Sequence, residues 1–126
     1  MGNDKSSESK KISEKGWQLV QQGESTEALK AFENAIALDS LNSQAWRGYG
    51  STLVLLGRYL EAVEAFRKAI KLDPAYAPAW NNKGIALGSL ERHQEALEAF
   101  EKAISLNPTY PGLAWQGPCS HQAGEV

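Results

Sequence analysis

A single cysteine, Cys119, stands among 126 residues, so no disulfide can form within the chain. No Cys/His cluster has zinc-site spacing. No apolar run approaches the length of a membrane span, and the polar start, MGNDKSSESKK, lacks a signal-peptide core. A reducing, cytoplasmic setting is expected, with no membrane partner. Charge of one sign is also scarce: 13 Lys+Arg face 15 Asp+Glu, a net charge of −2. Without a concentrated positive field, a nucleic-acid partner is not expected. Glycine-rich phosphate loops, nucleophile elbows and paired acidic motifs are missing too. Cys119 and His121 share a tail with no further ligands or rigid support. The expectation is a protein that is not an enzyme, with no metal and no cofactor.

What the chain has instead is a beat. Trp46 and Trp80 lie 34 residues apart, and at the same offset run Ala28, Ala62 and Ala96, then Phe32, Phe66 and Phe100, then Ala35, Ala69 and Ala103. Gly16, Gly50 and Gly84 keep the same interval. Residues 43–76 and 77–110 are identical at 17 of 34 positions. A period of this length marks a stacked repeat architecture.

Each unit reads as two helices. EALKAFENAIAL, EAVEAFRKAIKL and EALEAFEKAISL place apolar residues at three- and four-residue steps, the helical period. Glu64 and Lys68, like Glu98 and Lys102, fall four apart on the polar side, as ion pairs do. First halves such as AWRGYGSTLVLLG share that period but carry glycines, which suggests close approach of a neighbouring helix. Gly23 and Gly57 read as C-terminal stops, Pro74 and Pro108 as terminators of second helices, and Ser25 or Thr26 as an N-cap. His93 opens a second helix. Residues 1–8 are expected to be disordered, and residues 111–126 to form an irregular tail with at most a short capping turn.

Trp46, Gly50, Ala62, Phe66, Ala69 and Pro74, repeated as Trp80, Gly84, Ala96, Phe100, Ala103 and Pro108, resemble the tetratricopeptide repeat signature. Residues 9–42 make a weaker copy, with Ile12 in place of the tryptophan and Ser40 in place of the proline. The resemblance implies an all-α fold: six antiparallel helices in three hairpins (9–42, 43–76, 77–110), stacked into a right-handed α-solenoid.

It further implies a scaffold or adaptor whose first helices line a concave groove for a peptide or partner protein. Carried onto this chain, the groove-facing positions are Ser13, Trp17 and Val20, then Arg47, Ser51 and Val54, then Asn81, Ile85 and Gly88, with Asn82 beside them. Such a lining suits a short peptide whose backbone bonds Asn81 or Asn82 and whose carboxylate meets Arg47. Some family members clamp the acidic C-terminus of heat-shock chaperones with lysine, asparagine and arginine. The matching positions here hold Ser13, Trp17, Gly48, Pro78 and Asn82, so that clamp is not expected. The asparagine ladder of sugar-transferase superhelices fails likewise at Glu14 and Gly48.

An alternative places function at the third unit. If the tail covers it poorly, Leu90, Leu97 and Ile104, with Leu113 and Trp115, form an apolar patch that drives homodimer formation.

Overall fold

The computed structural model describes residues 3–107, which form six α-helices. They are α1 (Asn3–Gln21), α2 (Ser25–Leu38), α3 (Ser43–Leu55), α4 (Tyr59–Leu72), α5 (Ala77–Ser89) and α6 (His93–Leu106). Among the described residues there is no strand. Each odd helix pairs with the even helix that follows, and the hairpins stack in chain order, giving an α-solenoid.

The hairpins close on the signature residues. Ala28, Ala62 and Ala96 are buried where the two helices of a unit cross, and Phe32, Phe66 and Phe100 lie entirely inside. Each phenylalanine rests on a glycine of its own first helix. A Cβ on Gly16, Gly50 or Gly84 would come within 2.7–2.9 Å of the ring atoms of Phe32, Phe66 or Phe100. The recurrent glycine therefore makes room for a ring.

First helices end in a left-handed residue. Gly23 and Gly57 adopt φ of +83° and +79°, and the amides of Glu24 and Arg58 return to the carbonyls of Leu19 and Leu53. In the third unit the same station is held by Glu91 at φ 63°. A side chain there costs roughly 1 kcal/mol that glycine would not.

Three local expectations are corrected. Residues 1–8 were expected to lack order, but α1 begins at Asn3. Ser9, fully buried, explains the extension: its hydroxyl donates to the Ala35 carbonyl at 2.7 Å and accepts from Asn42 Nδ2 at 2.9 Å. With that turn pinned, the Lys, Ser and Glu residues before it continue the helix at little cost. At the second correction, Ser25 and Thr26 do not cap α2. Its N-cap is Glu24, which makes no side-chain capping bond. Finally, Lys68 and Lys102 stand over the Trp46 and Trp80 rings at 5.8 and 5.9 Å, while Glu64 is met by Arg67 at 3.7 Å.

Candidate functional site

Curvature follows from which helices touch. The first helices α1, α3 and α5 contact their neighbours along the stack, whereas no comparable contact joins α2 to α4 or α4 to α6. The first helices therefore form the inner wall. Of the residues expected on that wall, Trp17, Val20, Arg47, Ser51, Val54 and Asn82 are half-buried and Ile85 is exposed. Ser13 and Asn81 are not on the open surface: they are 3% and 8% exposed. Their station faces the link that follows each unit. Ser13 Oγ accepts from Asn42 Nδ2 at 3.3 Å, and one repeat on, Arg47 Nε donates to the Tyr76 hydroxyl at 2.9 Å. Asn81 holds the same station on α5 and is buried, whereas its neighbour Asn82 is half-buried.

Arg47 holds the centre of the wall. Its guanidinium lies 4.5 Å above the Trp17 ring and 5.7 Å from the Tyr76 ring, an arrangement that fixes a cation between two aromatic faces. Only Nε is used by Tyr76, and a guanidinium carries further N–H donors on its terminal nitrogens. Trp17 packs edge-on against Phe32, with ring centroids 5.3 Å apart. A tryptophan thus fills the seam between the first and second units.

One turn further along α3 the wall opens. Ser51, Val54, Phe66, Asn82 and Ile85 enclose a mostly apolar hollow of about 120 Å³. Two sequence differences create it. Ser51 occupies the station of Trp17, and Asn82 occupies that of Gly48. Gly48 lets α3 approach Phe32 so closely that a Cβ would fall 2.3 Å from the ring. The amide of Asn82 instead bridges the second seam, donating to Ser51 Oγ at 3.2 Å. Nothing in the repeat period alone announced the hollow; the signal was the departure from the period at 51 and 82.

The tryptophans outside the inner wall tie units together. Trp46 and Trp80 donate from Nε1 to the carbonyls of Ser40 and Pro74, both at 2.9 Å, and so tie each first helix to the preceding link. Lys83, 5.2 Å from the Trp80 ring, is held below the usual lysine pKa by desolvation and then by nearby Arg67. Among the residues expected to self-associate, Leu97 is 47% exposed, Leu90 and Ile104 are half-buried, and Leu113 and Trp115 lie outside the described residues, as do Cys119 and His121. No helix among the described residues is long and apolar enough to cross a membrane.

Stacked helix hairpins with a furrowed inner wall define an α-solenoid. Family models described as tetratricopeptide repeat match residues 14–77 and 77–110, and the chain belongs to that family. A search of the curated proteins finds no significant match. Solved structures with the same fold include the first TPR domain of human RPAP3, 23% identical with a TM-score of 0.85, covering 91% of each chain. The first TPR of Spaghetti (RPAP3), bound to the HSP90 peptide SRMEEVD, is 22% identical with a TM-score of 0.84 and 94% coverage of both chains. YrrB, described as a TPR protein with an unusual peptide-binding site, is 27% identical with a TM-score of 0.79, over 86% of this chain and 56% of that one.

Proposed function

We propose that this protein is a non-catalytic adaptor whose inner wall binds an extended peptide, with an apolar side chain of that peptide seated in the hollow between Val54 and Ile85. The hollow between α3 and α5 carries the reading. It is apolar at its floor, polar at its rim through Ser51 and Asn82, and sized for one branched or small aromatic side chain. Arg47 lies one turn away on α3, so a carboxylate close to the anchoring residue meets a guanidinium already oriented by Trp17 and Tyr76. The ligand class is therefore a short segment pairing an aliphatic or aromatic residue with an acidic one. Tetratricopeptide domains that bind peptides, such as the Spaghetti domain, support a groove of this kind. The two-carboxylate chaperone clamp is not the mode we infer, because Ser13, Trp17, Gly48, Pro78 and Asn82 stand at its positions.

The test is a random peptide display library panned against the full chain and against Ser51→Trp. Enrichment of sequences combining an apolar and an acidic residue, lost on Ser51→Trp and weakened at least tenfold by Arg47→Glu, is the expected result. Binders indifferent to both substitutions would place recognition elsewhere.

A further inference from the structure

The turn joining the two helices of a unit is written differently in the second unit. Residues 21–26 read Gln-Gln-Gly-Glu-Ser-Thr and residues 89–94 read Ser-Leu-Glu-Arg-His-Gln, whereas residues 55–60 read Leu-Leu-Gly-Arg-Tyr-Leu. Leu55, Leu56 and Leu60 are 59%, 38% and 60% exposed. The fold does not ask for them. Gln21, Gln22 and Thr26 hold the same stations in the first unit, where Gly23 closes the turn with nearly the φ of Gly57. Three leucines shown to water in one short turn make an apolar patch of the kind that marks a contact surface.

Beside Leu60 lies a mostly apolar hollow of about 350 Å³, lined by Gly57, Arg58, Tyr59, Leu60, Glu61 and Leu90. It shares no lining residue with the hollow between α3 and α5. The charges along this edge are uneven. Arg58 is held by Glu61 at 2.6 Å and Arg92 is met by Glu95 at 3.9 Å, so both cations are answered from within the chain. Glu24 and Glu27 beside the first turn and Glu91 in the third are exposed and make no ion pair among the described residues. An apolar centre is thus flanked on both sides by unanswered carboxylates.

We propose that this edge docks an amphipathic helix of a partner protein, apolar at its centre and carrying lysine or arginine toward both ends. Packed helices sit about 8–10 Å apart, so the carboxylates of the first and third turns lie about one such step to either side of the middle one. A helix rises about 1.5 Å per residue, which puts the partner's cations about six or seven positions from its central apolar residue, on the same face. Leucines at the centre supply the buried area, and the flanking charges set partner and register. A second copy of this chain would bring carboxylates against carboxylates, and an anionic lipid surface would be repelled in the same way. The inference is independent of what the groove binds.

The experiment pans the full chain with a display library of helical peptides about 20 residues long, built with a randomised face, and retests each binder on variants. Leu55→Gln with Leu60→Thr rewrites two stations as the first unit has them, so an unchanged melting temperature is expected. Binders with an apolar centre and basic flanks are expected to lose at least about tenfold in affinity on that double variant. They are expected to weaken on Glu24→Lys with Glu91→Lys and as salt is raised, and to be indifferent to Ser51→Trp, which groove ligands are not. Absence of any binder sensitive to the leucine variant, or enrichment of acidic flanks, would overturn the proposal. So would self-association in sedimentation velocity, or retention on phosphatidylcholine vesicles, that the leucine variant abolishes, because a second copy or a lipid surface would then be the occupant.

Discussion

The two seams between units are built on one pattern and bury their phenylalanines equally, yet only the second has a hollow beside it. At the first, Trp17 lies over Phe32 and Gly48 allows α3 to close on the same ring, so the aromatic is sealed from both sides. At the second, Phe66 is equally buried, but Ser51 and Asn82 stand where Trp17 and Gly48 do in the first, and a hollow lies beside the ring. The pair teaches that a repeat protein can leave a hollow at one seam by changing two residues there while the remaining signature keeps the frame. Under the proposed function, stability and recognition fall to different seams of the same stack.

The comparison can be broken most forcefully at Gly48. Gly48→Ala puts a methyl group 2.3 Å from Phe32, whose ring also lies close to Gly16. We expect a loss of about 1–3 kcal/mol in chemical denaturation, while Asn82→Ala at the same station of the next unit loses less than about 1 kcal/mol. Equal losses would mean that the seams are not differently packed. Next in size is the exchange of the covering residues. Trp17→Ser should open a second hollow over Phe32 and cost about 2–3 kcal/mol, less than a fully buried tryptophan because Trp17 is half-buried. Ser51→Trp should leave the melting temperature nearly unchanged and abolish peptide binding.

A smaller effect lies in the turns. Glu91→Gly should raise stability by roughly 1 kcal/mol, because φ 63° is a glycine conformation, as Gly23 and Gly57 show in the other two units. The smallest concerns the start of α4. Arg58 grips Glu61 with bonds of 2.6 and 2.9 Å, which lowers the Glu61 pKa, whereas Arg92 and Glu95 at the start of α6 are 3.9 Å apart. A lowered carboxylate pKa stabilises the folded chain above the unfolded value and loses that contribution as pH falls through the folded one. Glu61→Gln should therefore slightly reduce the melting temperature at pH 7 and make no difference at pH 2, both by calorimetry. Both side chains are exposed, so the change is small.

Repetition made the frame legible in sequence, because Ala, Phe and Gly at fixed intervals do the same steric task three times. Individual station assignments were less legible. Ser13 and Asn81 hold the same repeat station as Arg47, yet what that station meets depends on the residue ending the unit, a contact 29 residues away in sequence for both Ser13–Asn42 and Arg47–Tyr76. The polar N-terminal segment looked unstructured because its order comes from Ser9 reaching Ala35 and Asn42, which composition does not encode. The hollow was hidden for a related reason. Its walls belong to two units, and it appears only when residues 51 and 82 are set against 17 and 48.

Backbone amide NMR on the full chain, titrated with the strongest peptide from the display experiment, tests the central claim most directly. The account predicts the largest shifts at Arg47, Ser51, Val54, Asn82 and Ile85, with α2 and the outer faces of α4 and α6 unmoved. Shifts gathered on the outer helices, or around Trp17 with the second seam silent, would contradict it.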